Sequence, residues 1–181
     1  MKRHLFSVPI YYESIDLSKI KLTNTKFEKT FDCGVLSSHN FKNHLDPESK
    51  TYLIDKIYNL MKGDYDIDFD ILLTSIWENQ YNENDYQEKH THPFSHFSFI
   101  IYKDVEKSNT IFHNPIESLL LSYFTNFTKF FRIFPPSIKP PFKKGDIVVF
   151  PSFLEHMVTK NSKSVTISGN IILEEKYEQK K

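Results

Sequence analysis

Followed by its apolar and polar positions, the chain divides into one helical stretch and many short extended ones. Leu5 to Tyr12 is apolar and β-prone but broken by Pro9, which suits a strand at a sheet edge. The segment DPESKTYLIDKIYNLMKG carries the strongest helical signals: Asp46 is placed to cap, Pro47 fits the first helical position, and Gly63 follows the last turn. Leu53, Ile54, Ile57, Leu60 and Met61 recur at helical spacing, which predicts one face laid on a sheet. From about residue 66 the period drops to two, with Ile67, Phe69, Ile71, Leu73, Ser75 and Trp77 sharing one parity. A polar stretch to His90 follows, then an aromatic strand Phe97 to Tyr102 and a short strand Thr110 to Phe112. The segment IESLLLSYFTNFTKFFRIF fits helix and strand equally by pattern. Pro135, Pro136, Pro140 and Pro141 mark a loop ahead of strands Asp146 to Phe150 and Ser164 to Leu173. One helix followed by many short strands predicts a mostly β fold with a flanking helix, the double-stranded β-helix or cupin-like jelly roll.

Composition narrows the partners. A chain of 181 residues with 39% hydrophobic content suits one folded domain spanning 1–181, without internal repeats or low-complexity linkers. Basic and acidic residues balance at 23 each, so charge does not point to a nucleic-acid backbone as partner. The single cysteine, Cys33, excludes a disulfide within the chain and a thiolate zinc cluster. Four glycines leave no Gly-rich loop to cradle a phosphate, which argues against nucleotide-dependent phosphoryl transfer. No apolar run approaches the ~18 residues of a membrane span, and MKRHLFSVPIYYES turns polar too early for a secretory leader. A soluble, cytoplasmic protein is expected. Only Arg3 and Arg132 can supply a bidentate guanidinium.

Three passages carry chemistry. In HTHP, residues 90–93, His90 and His92 are two apart, so on an extended strand both point to one face and can address one metal ion; a surface polar pair is the alternative. In KKGDIVVFPSFLEHMV, residues 143–158, a buried apolar strand ends at Pro151, and His156 shares parity with Leu154 and Val158. It is expected to face inward, where it must be paired or ligated. On the last strand Ser164, Thr166, Ser168 and Asn170 share one parity and Val165, Ile167 and Ile171 the other, so one small polar face can line a wet pocket.

In this order and spacing the passages resemble the small 2-oxoglutarate/Fe(II)-dependent oxygenases of bacteriophages and marine bacteria. The matching elements are Phe6/Pro9, Trp77/Asn79, His90/His92/Pro93, Ser98/Tyr102, Phe112/Pro115, Gly145 to Ser152 with His156, and Thr166/Ser168/Asn170. They cover nearly the whole chain apart from about residues 117–140. The resemblance implies a jelly roll that holds Fe(II) through His90, His92 and His156, takes 2-oxoglutarate as co-substrate, and uses O2 to hydroxylate a small-molecule or side-chain substrate. The location implied is the cytoplasm of a bacterium or of a phage-infected host. Tyr102, Ser164, Thr166 and Asn170 are the implied 2-oxoglutarate contacts, and Trp77, Asn79, Phe112 and Asn114 the implied pocket walls.

Two departures stand against that pattern. His92 occupies the position where the wider superfamily has a carboxylate, and an all-imidazole site also accepts other divalent ions, zinc among them. Glu88 has the parity to supply a carboxylate instead, and His96 is expected at the pocket rim. Related oxygenases hold the distal carboxylate of 2-oxoglutarate with an arginine, and Ser164 stands at that position. Lys163 is one residue off and faces the other way, leaving Lys103, Lys143, Lys144 or Arg132 to reach in. The alternatives are a cupin-like three-histidine metalloenzyme that does not use 2-oxoglutarate, and a non-catalytic jelly-roll binding module.

Overall fold

A computed structural model of the chain describes residues 7–23, 26–29, 33–64, 68–124, 129, 132, 134–160 and 163–176. In chain order the strands are β1 (Tyr11–Ser14), β2 (Glu28–Lys29), β3 (Leu36–Ser37), β4 (Phe69–Tyr81), β5 (Gln87–His90), β6 (Phe97–Asp104), β7 (Thr110–His113), β8 (Ser137–Ile138), β9 (Asp146–Pro151), β10 (His156–Val158) and β11 (Ser164–Glu175). Helix α1 spans Pro47–Met61 and helix α2 spans Glu117–Phe124. Two antiparallel sheets result, a seven-stranded one in the order β1-β9-β6-β11-β4-β3-β2 and a four-stranded one in the order β5-β10-β7-β8. This is the expected jelly roll with a helix outside it.

Alternation along the strands builds two cores. Ile147 and Val149 of β9, Phe99 and Ile101 of β6, and Ile167 and Ile171 of β11 join Leu53, Ile57 and Met61 of α1 in a dry outer layer. Their neighbours Val148, Phe150, Ile100 and Tyr102 turn the other way and meet Phe112 of β7 between the sheets. Helix α1 begins as its sequence predicts: the Asp46 carboxylate accepts the Ser49 amide at 2.8 Å, with Pro47 in the first turn. Its end differs. The chain continues through a 3-10 turn, Lys62–Asp64, so Gly63 lies inside a right-handed turn and not beyond a helix stop.

The strand pattern needs two further corrections. Leu5 and Phe6 lie outside the described residues, and the edge strand runs Tyr11–Ser14, paired to β9 at the sheet margin. Ile67 also lies outside the described residues, and β4 does not keep one parity. Opposite the single step Asn170–Ile171 of β11, β4 takes two steps from Ser75 to Leu73, a bulge whose Thr74 hydroxyl donates to the Asn170 carbonyl at 3.2 Å. Phe69, Ile71 and Leu73 therefore pack toward α1 and Trp77 does not; after the bulge Ile76 takes over that face and Trp77 turns to the inside. The ambiguous segment after Pro115 begins as helix α2, with Glu117 Oε2 at 3.2 Å from Nδ1 of His113, the last residue of β7. Residues 125–128, 130–131 and 133 of that segment lie outside the described residues.

Candidate metal centre and cavity

Sheet register brings two of the three histidines together. His156 of β10 lies directly across from His90 of β5, and cross-strand partners hold their side chains within contact; the two rings are 4.3 Å apart. His92 does not extend the strand, which ends at His90. Its amide donates to the Ser152 carbonyl at 3.0 Å, and its ring comes to 5.1 Å from His90 and 5.2 Å from His156. One ligand atom from each histidine lies within 4.8 Å of the others.

The second nitrogens fix which atoms face the centre. His156 Nδ1 meets the Leu154 carbonyl at 3.1 Å and His90 Nδ1 meets the Glu88 carbonyl at 2.6 Å. A carbonyl only accepts, so both Nδ1 atoms carry hydrogen and both Nε2 atoms keep a lone pair. His92 Nε2 and His156 Nε2 are 3.4 Å apart, close enough for two ligands at about 2.0–2.1 Å from one ion. Protonation is also disfavoured. Burial lowers all three; His92 is held down to about 4 by burial first and then by neighbouring His90 and His39, and His156 lies well below the ordinary value by burial and then by the other two imidazoles. Three neutral, converging imidazoles are the form a transition-metal ion requires. Phe112 and Phe150 wall His156 from behind, at ring distances of 6.0 and 4.8 Å.

From the histidines a narrow inner cavity runs between the sheets, lined by Trp77, Asn79 and Tyr81 of β4, Thr166 and Ser168 of β11, and Gln87, Ile100, Thr110 and Val158. Only about 20 Å³ of it is open to the centres of water-sized molecules, room for about one water. A wide outer pocket, which shares Trp77, Gln87, His90 and His92 with it, has about 560 Å³ by the same measure. His39, Trp77, Glu88, Lys89, Pro93 and Asn170 are among its walls. The Trp77 indole N–H, buried at the junction of the two, has no acceptor among the described residues.

The other residues singled out from sequence are distributed as follows. Thr166, Trp77 and Asn79 line the inner cavity, Asn79 with its Oδ1 accepting from the Ser37 hydroxyl at 2.7 Å. Asn170 lines the outer pocket and, through its Oδ1, accepts from Ser98, which also meets the Ser152 hydroxyl at 2.8 Å. Tyr102 sits one layer back, its hydroxyl given to Thr110 Oγ1 at 3.0 Å. Ser164 is buried one rung beyond Thr166, across from Tyr81. Asn114 is away from the site, since both ends of its amide hold the turn into α2 through Pro135 and Ile116. His96 is exposed and accepts the Leu173 amide at 3.1 Å instead of forming a rim. The Glu88 carboxylate is exposed and lies outside the histidine group. Gln87, Tyr81, Thr110 and His39 were not singled out. Tyr81 alone carried a signal, because it shares parity with Trp77 and Asn79.

Residues 75–170, more than half of the chain and all three histidines, match the family model described as "Putative 2OG-Fe(II) oxygenase". The chain belongs to that oxygenase family. A search of curated proteins finds no match. Among solved structures, an oxidoreductase of the 2OG-Fe(II) oxygenase family from Burkholderia pseudomallei aligns with a TM-score of 0.54 at 11% identity, covering 81% of this chain and 71% of that one. HygX from Streptomyces hygroscopicus, solved with nickel, 2-oxoglutarate and hygromycin B bound, aligns at 0.50 and 11% identity over 84% of this chain and 74% of its own. At that identity the likeness shows a shared fold. No helix among the described residues is long and apolar enough to cross a membrane.

Proposed function

We propose that this chain is an Fe(II)-dependent oxygenase that uses a 2-oxo acid co-substrate, 2-oxoglutarate by family membership, and O2 to hydroxylate a C–H bond of a small molecule or side chain. The observation that carries the reading is the convergence of three neutral imidazoles between a narrow cavity and a wide pocket. His90, His92 and His156 would hold the metal from one side. Bound there, iron supplies the open positions at which a 2-oxo acid is chelated and O2 is reduced.

The chain's own residues do the rest. Backbone carbonyls of Glu88 and Leu154 keep two imidazoles turned so that Nε2 faces the ion. The Trp77 N–H, left unsatisfied at a cost of about 1–3 kcal/mol, is matched to an oxygen of whatever binds beside it. The outer pocket is the side open to a substrate.

One observation favours a second reading, a cupin-like metalloenzyme without a 2-oxo acid: among the described residues the wall of the inner cavity carries no Asp, Glu, Lys or Arg. Anaerobic dialysis against Fe(II), followed by addition of 2-oxo acids, separates the two. One iron per chain and a weak visible absorption band on adding a 2-oxo acid support the oxygenase. Iron uptake with no response to any 2-oxo acid leaves the cupin-like enzyme, and no iron uptake leaves a binding module.

A further inference from the structure

The inner cavity is tight and, among the described residues, lined by no Asp, Glu, Lys or Arg, and both properties bear on which 2-oxo acid it takes. Three rungs of the β4–β11 ladder run along it: Trp77 opposite Ser168, Asn79 opposite Thr166, and Tyr81 opposite Ser164. Stepping from Trp77 to Tyr81, or from His156 to Val158 on β10, leads away from the histidines toward a buried end, where Gln87 is shared with the outer pocket. Tyr81 and Val158 there belong to a buried cluster with Cys33 and Val35, beside the uncharged polar groups of Gln87, Thr110 and Thr166. Two of its polar groups are engaged: the Tyr81 hydroxyl donates to Gln87 Oε1 at 2.9 Å, and Thr110 Oγ1 accepts from the Tyr102 hydroxyl behind it at 3.0 Å. Burial raises the pKa of both phenols, Tyr102 to about 12, so the surroundings penalise an anion.

Among the described residues, the cations considered for this end are directed elsewhere. Lys103 Nζ lies 2.6 Å from Glu78 Oε2 and Lys144 Nζ 3.1 Å from Asp104, both on the outside, while Lys143, Lys163 and Arg132 are exposed. A dicarboxylate chelated at the histidines would bury its second carboxylate in this wall without a cation, a costly arrangement. A short alkyl tail meets Ile100, Val158 and the Tyr81 ring at no such cost.

We infer that this cavity selects a 2-oxo acid with a short uncharged tail, of the pyruvate or 2-oxobutyrate type, over 2-oxoglutarate. The inference rests on the oxygenase reading above and changes only the co-substrate. The chemistry balances without the second carboxylate: the 2-oxo acid, O2 and R–H give CO2, the acid one carbon shorter and R–OH. One oxygen atom enters each organic product, and co-substrate and substrate each give up two electrons.

The test is equilibrium binding, under argon, of pyruvate, 2-oxobutyrate and 2-oxoglutarate to the Fe(II)-loaded full chain, read by calorimetry and the visible band. The expected result is 2-oxobutyrate binding at least about tenfold tighter than 2-oxoglutarate, a difference of about 1.4 kcal/mol. Equal or tighter binding of 2-oxoglutarate overturns the inference and leaves the oxygenase reading standing. Binding of none of the three by the iron-loaded protein overturns that reading and the inference with it. Ser164→Arg, or Thr166→Lys if the first does not fold, places a cation on this wall and should move the ratio toward 2-oxoglutarate by about tenfold or more. An unchanged ratio in a folded variant overturns the claim that the tail reaches this wall.

Discussion

The two faces of the seven-stranded sheet are made by the same strands, yet they differ in almost every physical respect. On the helix side, Phe99, Ile101, Ile147, Val149 and Ile167 interlock with Leu53, Ile57 and Met61 in a predominantly apolar layer. On the inner side, alternate residues of β4 and β11 are Trp77, Asn79, Thr166 and Ser168, facing three imidazoles across a narrow gap. The first face gains free energy from dense apolar burial. The second gives some of that up to keep donors, acceptors and lone pairs aimed at a ligand. Stability and ligand binding are thus carried by neighbouring residues of one strand and should respond separately to substitution.

The strongest way to break that separation is to remove one residue from each face. His90→Ala, at a half-buried position, should lower metal affinity by a hundredfold or more while the metal-free melting temperature moves little. A variant that still binds one equivalent of metal with unchanged affinity would sink the assignment. Leu53→Ala, on the fully buried helix face, should cost about 2–5 kcal/mol in denaturant unfolding yet keep one metal per folded chain. Loss of metal from the folded variant would show that the faces are coupled after all.

Acid sharpens the same contrast. The histidine pKa values are lowered by folding, His92 to about 4 against an ordinary 6.5. Between those values the unfolded chain binds protons that the folded chain does not, so these groups favour the native state fully above pH 6.5 and less as pH falls toward 4. Metal-free protein should therefore unfold at lower denaturant at pH 5 than at pH 7.5. Equal midpoints would contradict neutral, buried imidazoles. The smallest effect is expected for His96→Ala, which removes an acceptor for the Leu173 amide. It should cost about 1 kcal/mol and leave metal content unchanged.

What could be read beforehand followed from local periodicity and motif chemistry. The start of α1 was legible because Asp46, Pro47 and the spacing of Leu53, Ile57 and Met61 each specify a helix on their own. The inward turn of His156 followed from its parity with Val158, and the polar face of β11 from its alternation. Residues whose place depends on long-range pairing were not legible. His39 stands in the outer pocket beside Trp77, at 4.8 Å between rings, and Thr110 reaches the inner one through the β7–β10 pairing. Asn114 looked like a wall because it stands beside β7 in sequence, whereas its amide is spent on a turn. The Thr74 bulge left no mark, since an extra residue in one strand shows only against its partner.

That extra residue makes one continuous strand behave as two pieces of opposite phase spliced end to end. Upstream of Thr74 odd-numbered positions answer to the helix; downstream they answer to the ligand. Excising Thr74 would restore a single phase and send Trp77, Asn79 and Tyr81 outward together, trading places with Ile76, Glu78 and Gln80. The β4 wall of the inner cavity is therefore set by a frame that a single codon controls, and Trp77, Asn79 and Tyr81 keep their inward turn only while that codon is kept.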